Sequence, residues 1–148
     1  LKLVICGKKG WLYEQIFDLV KRRNLESRVI FIGFAPDDDL PGIIKSSVGF
    51  ILPSLYEGFG MPVIEAQAVG TPVIVSRTSS LPEVAGDSAI YIEDPSSHLS
   101  IKSAIEHLLS LSSEQRDKII KEGKENTKRF DWSDSAKKLL SILKNVNS

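Results

Sequence analysis

The chain has 148 residues, 42% hydrophobic and 26% charged, the composition of one soluble globular domain able to bury a core. Nineteen Lys and Arg balance nineteen Asp and Glu, so no overall field draws the chain to nucleic acid or to an anionic membrane, and any phosphate recognition has to be local. No apolar run approaches the ~20 residues of a bilayer span, no basic-then-apolar leader opens the chain, and the single cysteine, Cys6, cannot form an internal disulfide.

Apolar, partly β-branched runs predict five strands, at residues 1–6, 28–32, 48–53, 72–75 and 89–92, each bounded by Gly, Pro, Ser or Asp. Cys6 lies in the first of them, LVIC, where a buried structural thiol is expected rather than a reactive one. The first run begins at residue 1 with no initiator methionine, so the chain is expected to be a piece of a longer protein. Between the first two strands, WLYEQIFDLVKRR puts Leu12, Ile16, Leu19 and Val20 on one helical face. The connection PDDDLPGIIKSS offers aspartate caps and a short apolar face at Leu40, Ile43 and Ile44.

After the third strand comes PSLYEGFGMPVIEAQAVG, with a helix expected over residues 61–69 and Gly70 as its left-handed end. Beyond Asp94 and Pro95, Ser97 caps a helix whose Ile101, Ala104, Ile105, Leu108 and Leu109 share a face. A more polar helix over about residues 114–128 follows Ser112 and Ser113. The last helix has Asp131 as its cap and a stripe of Trp132, Ala136, Leu139, Leu140 and Leu143. Strands alternating with helices, each strand continuously apolar, predict an α/β fold. It is a Rossmann-like doubly wound parallel sheet with helices on both faces and C-terminal helices. No repeat or linker divides the chain, so one domain is expected over residues 1–148.

In open parallel sheets, ligands bind beyond the carboxyl ends of the strands. EGFGMPVIE falls at such an end. Gly58 and Gly60 let a ligand approach the backbone, Pro62 suits the first helical turn, and the amides of a helix start attract an anion such as a diphosphate. Carboxylates repel phosphate but accept hydrogen bonds from hydroxyls. Glu65, one turn into the helix, fits a pair of ribose hydroxyls, and Glu57, ahead of the glycines, fits a polyhydroxylated group such as a sugar.

Three other readings stand beside this one. A Gly-x-Gly turn between strand and helix is common and can be purely structural. The dinucleotide fingerprint G-x-G-x-x-G fails at Val63, which stands where the third glycine belongs, so the nucleotide-binding module of an oxidoreductase is disfavoured. A catalytically silent module serving as an interaction surface is the third possibility. His98 and His107 read as surface residues, and no His, Cys or Asp cluster has metal-ligand spacing, so neither metal nor cofactor is expected.

PSLYEGFGMPVIEAQAVGTPVIVS, continuing into SSLPEVAGDSAIYIEDP, resembles the C-terminal, donor-binding domain of group 1 glycosyl transferases, the retaining GT-B enzymes typified by bacterial mannosyltransferases. The similarity extends upstream through LVICGKKGWLYEQIFDLV and RVIFIGFAPDDDLPGIIKSS and downstream to FDW. The resemblance implies half of a GT-B fold, a nucleotide-sugar substrate with GDP-mannose ahead of a UDP-sugar, and no nucleic acid or transmembrane segment. It makes Glu57 the catalytic-site carboxylate facing the donor sugar and Glu65 the ribose ligand. Gly58, Phe59, Gly60, Met61, Pro62 and Val63 would lie along the sugar and diphosphate, and Gly33, Phe34 and Ala35 at the base. Lys8 and Lys9 are weaker phosphate candidates, because lysines in a turn are more often solvated. Family members carry an Arg and Lys pair for the diphosphate at a point ahead of residue 1. A first strand and an N-terminal domain holding the site for a glycan or lipid-linked acceptor are expected there too. The last helix would cross to that domain, leaving part of its stripe uncovered. A cytoplasmic location, peripheral at a membrane in the full-length protein, goes with these.

Overall fold

Leu3–Cys6 (β1) lies parallel to Val29–Gly33 (β2), pairing Leu3 with Val29 and Ile5 with Phe31 before the register shifts at Cys6. The chain is described by a computed structural model covering residues 1–8, 10 and 13–146. Its contacts divide it into two compact units, Leu1–Gly42 and Ile43–Ser148.

In the first unit, Glu14–Arg22 (α1) connects the two strands. The contact between helix and ladder is aromatic: Phe17 stacks on Phe31 at 4.1 Å between ring centroids, and Tyr13 meets Phe17 edge-on. Val20 is the buried residue of α1, whereas Ile16 and Leu19 of the expected face are about half exposed and Leu12 lies outside the described residues. Cys6 is exposed, against expectation. The reason is geometric. A two-stranded ladder covered by one nine-residue helix leaves most of each strand open, and β1 has no buried position. A short helix, Leu40–Lys45 (α2), follows a turn in which Asp39 and Leu40 N–H donate to Pro36 O.

The second unit is built on three parallel strands, Phe50–Leu52 (β3), Val73–Ser76 (β4) and Ile90–Ile92 (β5), in the order β3-β4-β5. The central β4 is buried at all four positions, as expected for a strand covered on both faces. Ile74 points into a cluster with Ile90, Ile92, Ala104 and Leu108, so one face of the sheet is covered by His98–Ser110 (α5). By strand alternation Val73 and Val75 face the opposite side, where Met61–Val69 (α3) and Leu81–Ala85 (α4) pack on β4. Val63, Ala66, Leu81 and Ala85 are fully buried there. Each burial of a Val or Leu is worth roughly 1.5–3 kcal/mol, which is what makes this side rigid.

Ser113–Thr127 (α6) opens on a capping box between Ser112 and Gln115 and packs along α3, where Gly123 lies against Gln67 with room for no more than a slightly crowded Cβ. Arg116 ties α6 to the unit by donating to Val48 O (2.9 Å) and Leu108 O (3.0 Å). Trp132–Val146 (α7) is capped by Asp131, whose Oδ1 accepts from Asp134 N–H at 2.9 Å, and none of its residues is buried. The expected parallel pairing of strands with intervening helices is thus present, divided into two ladders. Two details differ from expectation: Leu109 is 47% exposed beside its buried neighbour Leu108, and α4, which the sequence pattern did not announce, closes the sheet over β4. Among the described residues no helix is long and apolar enough to cross a membrane.

Candidate functional site

β3 ends at Leu52, and the segment 53–60 carries the chain to the start of α3. Gly60 makes the corner with φ +100°, and a Cβ there would lie 2.9 Å from Leu81 Cδ2. Its lack of a side chain is therefore demanded from within, by backbone conformation and by the packing of α4. Gly58 is the opposite case, with nothing within 4 Å of where its Cβ would stand. That is the open side from which a ligand can reach the backbone. Pro62 sits in the first turn of α3, and Val63 N–H donates to Gly60 O at 2.9 Å. The amides able to face an anion are accordingly those ahead of the proline.

The two carboxylates are held differently. Glu57 is half-buried, and its Oε1 accepts from Ser54 Oγ at 2.8 Å. Its N–H donates to Ser79 Oγ at 3.0 Å, and its carbonyl accepts from Ser80 Oγ at 2.9 Å. Ser80 Oγ shares its one proton with Phe59 O (3.0 Å), and Thr78 Oγ1 donates to Ser54 O (3.2 Å). Glu65, by contrast, stands exposed on α3 with neither a hydrogen bond nor an ion pair among the described residues. Its oxygens are free to accept from a ligand. Two residues on, Gln67 is 2% exposed and fully engaged. Gln67 Nε2 donates to Ala85 O and Ser88 Oγ, while its Oε1 accepts from Asn126 Nδ2, which also donates to Val84 O at 2.8 Å. This buried network fixes α3, and with it Glu65, between α4 and α6.

Phe59 turns its ring edge-on to Phe130 at 5.7 Å. Its side chain thus anchors the loop to the turn between α6 and α7, leaving its backbone as the part available beside a ligand. Met61 is 42% exposed at the helix start. In the first unit, Gly33 has φ +68°, Phe34 is 63% exposed, Ala35 is half-buried, and Lys8 Nζ lies 5.5 Å from the Phe34 ring centroid. Lys9 lies outside the described residues.

His98 and His107 are on the surface, as expected. No group of three or more metal-ligating side chains occurs among the described residues. An open groove of about 580 Å³, lined by Arg77, Tyr91, Glu93, Ser103 and His107 among others, includes neither carboxylate of the motif. Its charges answer one another: Arg77 Nε donates to both Glu93 oxygens, and the guanidinium lies 4.1 Å from the Tyr91 ring centroid. Burial pushes the Tyr91 phenol above its ordinary range, with Asp87 adding to this and Arg77 opposing it.

The hydroxyls of residues 78–80 were not singled out from the sequence. A signal was there: three consecutive hydroxylated residues follow the strand adjacent to β3, at the same end of the sheet.

Escherichia coli O-antigen chain mannosyltransferase B is 34% identical over 143 residues, which cover 96% of this chain and 37% of that protein. Sucrose-phosphate synthase from Thermosynechococcus elongatus has a TM-score of 0.86 at 25% identity, over 98% of this chain and 38% of its own. HepE of Anabaena, solved in complex with UDP and glucose, has a TM-score of 0.86 at 19% identity, over 97% of this chain and 40% of its own, a likeness of fold. The chain thus spans well under half the length of these proteins. The family model for glycosyl transferases group 1 matches residues 1–126, and the chain belongs to that family.

Proposed function

We propose that this chain is the donor-binding half of a retaining hexosyltransferase, with GDP-mannose as the preferred donor and a UDP-sugar as the second choice. The observation that carries the reading is the pair of carboxylates on either side of an open glycine turn, one pinned at Oε1 and one unengaged. The diphosphate sits against the backbone of Gly58 to Met61, with Pro62 and Val63 completing the turn behind it. Glu65 accepts from the ribose hydroxyls, and Glu57 offers Oε2 to hydroxyls of the donor sugar. Gly33, Phe34 and Ala35 serve the base, with Lys8 beside Phe34.

In this scheme the leaving diphosphate is stabilised by oriented amides at the start of α3, joined by basic residues of the whole enzyme. The acceptor, a glycan or lipid-linked saccharide, enters through an N-terminal domain, and the whole protein works at the cytoplasmic face of a membrane. The mannosyltransferase relative supports mannose as the sugar; the UDP and glucose of HepE keep the second donor in play. The 148-residue chain alone binds donor weakly and transfers little or no sugar.

Calorimetry of the chain with GDP-mannose, UDP-glucose and NAD tests this. A sugar nucleotide should bind, and Glu65→Ala should weaken that binding by ~1–3 kcal/mol, the loss of charged hydrogen bonds. Binding of NAD alone would overturn the reading, and an unchanged affinity in Glu65→Ala would remove its ribose role.

A further inference from the structure

Thr78, Ser79 and Ser80 follow β4 and reach the loop that follows β3, its neighbour in the sheet. Between them they hold both sides of one residue. Ser79 Oγ accepts the Glu57 N–H, Ser80 Oγ shares its one proton between the Glu57 and Phe59 carbonyls, and Thr78 Oγ1 donates to the Ser54 carbonyl. Ser54 in turn donates its hydroxyl to Glu57 Oε1. Backbone and carboxylate of Glu57 are thereby fixed together, with Oε2 left over.

Two features set these residues apart. Ser80 stands at the N-cap of α4, where a serine ordinarily accepts from the helix's own amides, yet it makes no capping hydrogen bond. Its hydroxyl goes to the neighbouring loop instead. Ser79 has φ +49°, a conformation that L residues other than Asn and Asp seldom adopt, and it is this backbone turn that accompanies its contact with the Glu57 amide.

We propose that Thr78, Ser79 and Ser80 are positioning residues that fix Glu57 against the donor sugar, acting through the 54–59 loop and not by touching the donor. The proposal rests on Glu57 facing the sugar. A carboxylate on a segment without helix or strand hydrogen bonds would otherwise sample several orientations, and the ordering would have to be supplied by the ligand's own binding energy.

The test uses the 148-residue chain and three variants: Ser79→Gly, which keeps a residue at ease with φ +49° while removing the hydroxyl, Ser80→Ala, and Ser80→Thr, which retains one. Affinities for GDP and GDP-mannose, and for UDP and UDP-glucose, are measured by calorimetry. Exchange of the Glu57 amide is followed by NMR. Removing either hydroxyl should lower affinity for the better sugar conjugate about 10-fold, the loss of hydrogen bonds that orient a charged group, while the bare diphosphate changes less than about twofold. Glu57 amide exchange should accelerate in Ser79→Gly, and Ser80→Thr should behave as the parent. Equal losses on diphosphate and conjugate would reduce the hydroxyls to a structural clamp and overturn the proposal, as would an unchanged preference for the conjugate. A parent chain that binds conjugate no tighter than diphosphate fails the donor reading before any variant is made, and the positioning role fails with it.

Discussion

Glu57 and Glu65 stand eight residues apart and are held by opposite means. Glu57 belongs to a loop with exposed Leu55 and Tyr56, fixed by side-chain hydroxyls from the next strand's connection and by the edge-on contact of Phe59 with Phe130. Glu65 belongs to a helix fixed by full burial of Val63 and Ala66 and by the buried Gln67–Asn126 amides. Loop position is therefore set by a few directional bonds that can be removed singly. Helix position is set by packing, which fails only with the unit's stability. Gly60, the corner at which the loop meets α3, rests on Leu81.

The largest effect should come from that corner. Leu81→Ala removes a fully buried side chain under the corner and should destabilise the chain by ~2–5 kcal/mol in chemical denaturation. A loss below about 1 kcal/mol would mean that loop and helix do not rest on common packing. Next comes Asn126→Ala, which leaves Gln67 Oε1 and Val84 O without their donor and should cost ~1–3 kcal/mol of stability. Because it loosens the helix side, it should weaken diphosphate and sugar conjugate by the same factor, unlike Ser79→Gly. A sugar-selective loss would erase the distinction between the two regions.

The smallest effect is expected in β4. Ser76 Oγ is buried with no hydrogen-bond partner among the described residues. Ser76→Ala removes that unmet group and should be neutral or stabilising by up to ~1 kcal/mol, read as a rise in denaturation midpoint. A clear destabilisation would show that the hydroxyl has a partner and that the strand end takes part in holding the site.

Several elements were legible because their signals are local. Residues 61–69 form the predicted helix, ended by Gly70 at φ +85°, since proline near the start and glycine at the end each act through their own backbone angles. Ser97, Ser112 and Asp131 cap the helices expected of them, because a cap is decided within one turn. Residues 81–85 are helical without a long periodic stripe, too short for a 3.6-residue repeat to show. Cys6 and Leu109 are exposed because an apolar run reports the tendency to be buried and not the presence of a covering partner.

By itself the sequence determined the α/β class, the carboxylates around a glycine turn and the family, because each is written in residues adjacent along the chain. Only the tertiary structure decided that Gly60 is glycine for the sake of Leu81, that Phe59 spends its ring on Phe130, and that two hydroxyls after β4 hold Glu57 while a third holds Ser54. These contacts join residues some twenty to seventy positions apart. Such pairings leave no period or spacing in the chain and exist only once parallel strands bring their carboxyl ends side by side.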